Sequence, residues 1–281
     1  MINGALQIEP AYSLLFLMNI YQKAERITSK WWFYLLIFLV PAILPPFAST
    51  GMGYWRELNG FIWYVSDAVY YKKVSFQSSM PIMHLAMLLL IIALVVLGKR
   101  FGRAFSLLVA LNYAFIAFAQ TLVITEKYGL VVVSELFAWY MIVFLLWLWE
   151  ALAPKNDFTW DRSRRKPYWA IPLALIAFWN PDQVWQLHLR FFIDSYSPTA
   201  FCMMTPIYLT VLLLFYPKVN LLLLRVQGFI GVVIGMITLV VAFMKEPSNG
   251  IYWTLLHMPL ILISLYSFIL GIRTKTTIQN P

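Results

Sequence analysis

The chain has 281 residues, of which 62% are hydrophobic and 12% charged, and its mean hydropathy is +0.75. About a quarter of the residues in soluble domains are charged, so this composition excludes an ordinary soluble protein and predicts a polytopic membrane protein. The net charge of +9 does not indicate nucleic acid, because most basic residues lie in short loops between apolar runs, where they set membrane topology. The expected partners are membrane lipids. The single cysteine, Cys202, excludes an internal disulfide.

The first thirty residues differ from the rest of the chain. Apolar residues between Leu14 and Tyr21 are followed by Lys23, Arg26 and Lys30. This pattern is typical of an amphipathic helix that lies on a membrane surface, and a partly ordered extension is the alternative. We therefore expect an interfacial, cytoplasmic segment at 1–30, a transmembrane bundle at 31–272 and a cytoplasmic tail at 273–281.

The remaining apolar runs predict an all-α, polytopic bundle of about eight transmembrane helices. Most runs approach the roughly 20 residues that a helix needs to cross a hydrocarbon core. The fifth is the exception, because the run from Tyr168 to Trp179 crosses only if it extends past Asn180 toward Trp185. The predicted spans are 31–48, 79–98, 104–124, 130–153, 168–185, 197–216, 219–244 and 251–272.

Lysine and arginine are distributed unevenly among the predicted loops. With both termini in the cytoplasm, the inner segments carry 14 of these residues and the outer loops carry six. The positive-inside rule favours that orientation, in an inner or plasma membrane. A weak parallel four-plus-four repeat is also expected, since each half opens with a basic-aromatic entry at Lys30-Trp31 or Lys166-Pro167 and then an interrupted helix. Coincidence is the alternative.

The segment from Ala104 to Ala153 is predicted to be a helical hairpin that turns at residues 126–129. Its turn marks the outer end of two spans, and the depth of other polar residues in the membrane can be counted from that end. Gln120 and Glu135 then lie about 6 to 7 Å below the outer end, at 1.5 Å per residue, where their side chains can meet. The same count adds three residues to this layer, which are His84, Cys202 and His257.

Two interpretations of this layer are open. In the functional one, Glu135, Gln120, His84 and His257 form an outward-facing substrate site or proton relay, with Glu135 as the titrating group. In the structural one, Gln120 and Glu135 hydrogen-bond to each other and only hold the hairpin together. Equal depth does not decide between them, because it does not say which way each side chain faces.

Arg225, six residues into the predicted seventh span, is a further candidate for binding a substrate anion. It could instead pair with Glu150, or its guanidinium could snorkel to the membrane surface. Farther along the same span, Gly228, Gly231 and Gly235 include a Gly-x-x-x-Gly spacing. This spacing predicts close packing against another helix.

The sequence assigns no cofactor and no metal. Met80, Met83 and Met87 share a helix face with His84, and together with Cys202 they would suit copper(I). Apolar packing is the more ordinary role of methionine. Two histidines at matched depth leave haem as an alternative, whereas Cys-x-x-Cys and carboxylate-rich metal motifs are absent from the sequence.

Interrupted helices and an outer polar layer favour a permease-type transporter, or the membrane subunit of a transport system, for a small solute or ion. One alternative is an intramembrane enzyme for a lipid or prenyl substrate, with Glu135 and either His84 or His257 as acid and base. The other is a structural or assembly subunit of a larger membrane complex. The basic loop from Lys155 to Lys166 is expected to contact lipid phosphates, with a protein partner as the alternative.

Overall fold

The computed structural model describes residues 10–50, 77–161, 163, 165–179, 195–245 and 250–274. This part of the chain is mostly helical, as the apolar runs predict. Its helices are α1 (Pro10–Ile27), α2 (Trp31–Ala42), α3 (Met80–Leu97), α4 (Gly102–Thr121), α5 (Ser134–Leu152), α6 (Ala170–Trp179), α7 (Phe201–Phe215), α8 (Leu221–Lys245) and α9 (Gly250–Arg273). Its strands are β1 (Phe47–Ala48), β2 (Leu122–Thr125) and β3 (Gly129–Val132).

In the described residues, five helices are long and apolar enough to cross a membrane, which supports a membrane-embedded protein. These five are Met80–Arg100, Gly102–Thr121, Ser134–Leu152, Leu221–Val241 and Leu255–Arg273. The predicted first, fifth and sixth spans correspond to the shorter helices α2, α6 and α7, which have 12, 10 and 15 residues. At lengths of roughly 15 to 22 Å, these three are shorter than a hydrocarbon core, so eight complete spans are not confirmed. Residues 180–185, on which the fifth span depends, lie outside the described residues.

A three-stranded antiparallel sheet interrupts the mostly helical fold and replaces the turn of the predicted helical hairpin. β3 pairs with β2, in a register that places Leu122 opposite Val132, and with β1 on its other edge. The segment between the two helices is rich in β-branched residues, which favour strands. Gly129 closes the turn with a φ of +63°. α4 therefore ends at Thr121 rather than near Ile124, and we call this end of the bundle the hairpin end.

The four-plus-four repeat is not confirmed. α4 and α5 are joined by the hairpin of β2 and β3, whereas only residues 246–249 separate α8 from α9. The corresponding helices also differ in length, since α4 and α5 have 20 and 19 residues and α8 and α9 have 25 and 24. The two halves therefore do not match in their described elements.

α7 lies at the centre of the bundle, between α4, α6, α8 and α9, and thirteen of its fifteen residues are buried. α8 packs along α9 through its glycines. A Cβ added to Gly228 would lie 2.9 Å from the backbone nitrogen of Phe268, and one added to Gly231 would overlap Ser264. The predicted close packing at the glycine motif is confirmed.

The end opposite the sheet gathers most of the described basic residues, and we call it the basic end. Here Asp157 N donates to Lys218 O at 2.7 Å, which brings the loop after α5 to the turn before α8. α1 also packs here, because Tyr21 OH donates to Asn220 Oδ1 at 3.0 Å. The basic residues of this end are Lys23, Arg26, Lys30, Lys99, Arg100, Arg103, Lys155, Arg165, Lys166, Lys218 and Arg273.

Candidate functional site

Glu135 is the second residue of α5, directly after the sheet at the hairpin end. Its side chain is half-buried, and its Oε2 atom is screened from solvent without a hydrogen-bond partner in the described part of the chain. Glu135 and Cys202 are both close enough to Tyr140 to interact with it electrostatically. A sheltered carboxylate oxygen without a donor is costly. This oxygen is therefore ready to accept a proton, a cation or a donor group of a solute.

Gln120 lies one residue before the end of α4. Its Oε1 accepts a hydrogen bond at 2.9 Å from the backbone nitrogen of Phe201, the first residue of α7, and so caps that helix. No hydrogen bond joins Gln120 to Glu135 among the described residues, so their predicted mutual pairing is not observed. Both residues also lie next to a helix end rather than about 6 to 7 Å inside one, because the sheet replaces the expected helical turn.

Tyr140 and Phe201 link five residues near the start of α7. The ring of Tyr140 stacks on the ring of Phe201 with 4.6 Å between centroids, and Phe201 is also the residue that Gln120 caps. Cys202 follows it directly and is partly exposed. We call this group the Glu135 site, and its members are Gln120, Glu135, Tyr140, Phe201 and Cys202.

His84 is buried beside α6, with 3% of its surface exposed. Its Nε2 lies 2.7 Å from Ser197 Oγ and 3.2 Å from the carbonyl oxygen of Phe178. Its ring also meets the Phe178 ring edge-on at 4.5 Å. Ser195 Oγ donates to the same carbonyl oxygen at 3.3 Å. The imidazole therefore joins α3 to α6 and to the segment that leads into α7.

His257 lies on α9 and has 6% of its surface exposed. Of the predicted layer, Gln120 contacts the start of α7, Cys202 lies there, Glu135 interacts with Tyr140, and His84 holds the junction of α3 and α6.

Arg225 is 1% exposed, so its side chain does not snorkel. Its Nε donates to Gly271 O at 2.7 Å, its Nη1 to Glu25 O at 3.2 Å and its Nη2 to Thr274 O at 3.1 Å. Carbonyl groups at a helix C-terminus carry partial negative charge and lack partners within the helix. Arg225 therefore caps the end of α9 and ties α1 to it, at the basic end and far from Glu135.

Glu150, which the sequence suggests as a partner for Arg225, instead anchors the loop after α5. It is 1% exposed. Its Oε1 accepts from the backbone nitrogens of Lys155 and Asn156, and its Oε2 accepts from Asn220 Nδ2, all at 2.7 Å. Three hydrogen bonds to one carboxylate offset much of the cost of burying its charge. In the sequence, the feature that indicates this role is an acidic residue just before a loop of polar residues.

Sequence reasoning missed a buried network in the middle of the bundle. Trp147 Nε1 donates to Gln227 Oε1 at 2.8 Å, Gln227 Nε2 donates to Tyr113 OH at 2.7 Å, and Tyr113 OH lies 2.9 Å from Thr205 Oγ1. All four side chains are fully buried. The network joins α5, α8, α4 and α7. An amide inside an apolar run, such as Gln227, is the signal that could have found it, because such a group needs partners at membrane depth.

Replacing Gln227 with leucine should lower the free energy of unfolding by about 1 kcal/mol, since interhelical hydrogen bonds inside membranes contribute amounts of this size. Thr238→Ala is the control, because Thr238 Oγ1 bonds only within α8, to Ile234 O. Denaturation of both variants in mixed detergent micelles measures the difference. Equal stabilities would show that the network does not fasten the helices.

In the described residues, no three His, Cys, Asp or Glu side chains are arranged to hold a metal ion. Comparison with protein family models, with curated proteins and with solved structures finds no match for this chain. Function is therefore inferred from the chain's own residues.

Proposed function

We propose that this chain is a permease-type transporter, or the membrane subunit of a transport system, for a small solute or ion. The observation that carries the proposal is the Oε2 atom of Glu135, which is sheltered at the hairpin end without a hydrogen-bond donor in the described residues. Ionisable groups kept inside membrane bundles commonly mark the path of an ion, a proton or a charged solute. Glu135 is the group that binds the solute or the coupling proton.

The contacts around Phe178 support the same function. The carbonyl oxygen of Phe178, on α6, is met by His84 Nε2 and Ser195 Oγ. Ionisable and polar side chains kept inside a membrane bundle commonly face its interior and line the path of a solute or ion. His84 thus holds α6 against α3, and His257 is kept as a substrate-binding candidate.

The start of α7 adds a polarised helix end to the Glu135 site. A helix N-terminus carries partial positive charge, and Gln120 occupies one of its amides, that of Phe201. Three helices thus contribute a carboxylate, a carboxamide, a thiol and helix amides to the Glu135 site. Such a set can orient a small polar solute or an ion.

The distribution of charge supports an orientation with the basic end in the cytoplasm of an inner or plasma membrane. The eleven described basic residues assigned to that end outnumber Lys127 and Lys245 at the other, and the positive-inside rule then applies. Arg225 belongs to the same end through its bonds to the end of α9. Anionic lipid headgroups are the expected partners of this surface.

The test is uptake into liposomes that contain the purified protein and a pH-sensitive dye. A panel of amino acids, sugars, organic amines and inorganic ions is applied under a proton gradient, and the solutes that change the internal pH are selected.

Glu135→Gln should reduce the rate of this pH change on the order of tenfold or more, because it removes the charge that binds the solute or proton. Glu126→Gln is the matched control, since Glu126 is exposed in the hairpin turn. Equal rates for wild type and Glu135→Gln would reject the role of Glu135.

One observation favours the alternative of an intramembrane enzyme for a lipid or prenyl substrate. Ser197 Oγ lies 2.7 Å from His84 Nε2, which is the distance of a nucleophile from its general base. Ser197 is fully buried, however, and an attacking hydroxyl must reach its substrate. Turnover of a lipid by the purified protein that is lost in Ser197→Ala would support the enzyme, whereas the transporter predicts no turnover.

A structural or assembly subunit is distinguished by its partners. The basic loop from Lys155 to Lys166 is the proposed docking surface in that case, and in the transporter it contacts lipid phosphates. The Trp160 ring meets the ring of Phe215 on α7 edge-on at 5.6 Å, so part of the loop is held against the bundle. Stoichiometric co-purification of another membrane protein would favour the subunit.

A further inference from the structure

Residues 153–160 cross the basic end of the bundle, and we call them the strap. Two successive backbone N–H groups of the strap donate to Glu150, and the N–H of Asp157 donates to Lys218 O at 2.7 Å. Asn156 Oδ1 accepts from the backbone nitrogen of Asn220 at 2.6 Å. The strap is therefore tied at one side to the end of α5 and at the other to the turn between α7 and α8.

The strap inserts one aromatic side chain into the bundle. Phe158 is 1% exposed, and its ring meets the rings of Phe105 on α4 and Phe215 on α7 edge-on, at 5.5 Å and 5.2 Å. Gly102 makes room for it, because a Cβ at that position would lie 2.8 Å from Phe158 Cδ2. The ring therefore plugs the basic end between α4 and α7.

Behind this plug, a file of aromatic rings leads along the bundle to the Glu135 site. Neighbouring ring centroids in the file are 4.6 to 6.3 Å apart. In order from the strap, the rings are those of Phe158, Phe105, Tyr208, Tyr113, Phe201 and Tyr140. Ring contacts thus connect Phe158 at the basic end with the proposed binding site at the hairpin end.

α1 covers the strap from the side. Lys155 Nζ lies 4.7 Å from the centre of the Tyr21 ring, and Tyr21 OH donates to the same Asn220 that donates to Glu150. Burial raises the pKa of the Tyr21 phenol, so its hydroxyl stays protonated and can donate. The strap, α1 and the start of α8 therefore meet at Glu150 and Asn220.

We propose that the strap is the gate at the basic end, with Phe158 as its plug and Glu150 as its latch. In the described structure the gate is closed. Opening requires the Phe158 ring to leave its slot beside Gly102 and the strap N–H groups to leave Glu150, while α4 and α7 stay in place. The inference rests on the proposed transport function, since a solute would use this end to enter or leave the cytoplasm, but the opening itself can be measured without any solute.

The experiment measures how fast a buried thiol reacts with a membrane-impermeant maleimide in lipid nanodiscs. Ser106, which is 1% exposed, lies one helical turn from Gly102 on the same face of α4, so Ser106→Cys reports from behind the plug. The background carries Cys202→Ser, which removes the native thiol. Phe158→Ala and Glu150→Gln should each raise the labelling rate on the order of tenfold, because local opening becomes easier. Glu126→Gln, at the exposed hairpin turn, should leave the rate unchanged.

Ser267→Cys is a second reporter, because Ser267 is fully buried on α9. Its thiol should stay protected from the maleimide in every variant. This reporter therefore distinguishes opening of the gate from unfolding. Phe158→Leu, which keeps an apolar side chain, replaces the alanine variant in a preparation where the latter does not fold. Unchanged labelling of Ser106→Cys in the folded strap variants would overturn the gate. An equal increase in the labelling rates of Ser106→Cys and Ser267→Cys would also overturn it, because it would indicate general unfolding. Neither result depends on Glu135, so failure of the gate and failure of the transport site are distinguishable.

Discussion

Gly228→Ala is expected to destabilise the bundle by about 2 kcal/mol or more, because overpacking of a tight contact costs amounts of this order. The added Cβ would lie 2.9 Å from both the backbone nitrogen of Phe268 and the backbone oxygen of Ser264. Backbone atoms of a packed helix cannot move aside without shifting the whole of α9. Detergent denaturation and the yield of monodisperse protein measure the loss.

Gly235→Ala is the matched control on the same helix. Its Cβ would meet the side chain of Ile261, at 2.6 Å from Cγ1, and a side chain can change rotamer to make room. The alanine also gains helix propensity of about 1 kcal/mol. A cost at Gly235 as large as the cost at Gly228 would show that the backbone approach is not what makes the α8–α9 contact tight.

Arg225→Ala is the second substitution with a large expected effect, a loss of about 3 kcal/mol in the free energy of unfolding. It removes the donors that satisfy the carbonyl groups of Glu25, Gly271 and Thr274. Arg225→Lys should recover only part of the loss, because an ammonium group cannot reach three acceptors in the fork geometry of a guanidinium. α1 should also become more accessible to proteases, since one of the three bonds holds it.

Arg273→Ala is the control for Arg225. Arg273 ends the same helix, α9, but its side chain is exposed, so its removal should change stability by less than about 0.5 kcal/mol. Similar losses for the two variants would mean that positive charge at this end, rather than the capping of named carbonyl groups, stabilises the fold.

The apolar runs predicted the long helices well, because burying apolar surface in a membrane depends on composition over about 20 residues and not on particular partners. The sheet was missed for a local reason. The apolar residues on both sides of the turn at 126–129 continue the two predicted helices, and counting hydrophobicity alone hides their β-branched content, which favours strands. The helical prediction therefore placed Gln120 and Glu135 inside spans, whereas they lie at helix ends.

The polar contacts could be predicted only in part, because they depend on which helices are neighbours. Gln120 and Glu135 both lie at the hairpin end, but Gln120 bonds to Phe201, which is 81 residues away. Arg225 reaches Glu25, 200 residues away, and no pattern local to either residue indicates that contact. Gln227 lies within an apolar run, where an amide needs hydrogen-bond partners as a charge does, but the run does not show which neighbouring helices supply them.

The most direct measurement is a density map of the purified protein in lipid nanodiscs, at a resolution that shows side chains and bound solutes. The transport account predicts density for a solute, cation or ordered water within about 3.5 Å of Glu135 Oε2, beside Gln120 and the start of α7. A donor from the chain itself on that oxygen, with protein filling the space around it, would contradict the account and leave Glu135 as a structural residue.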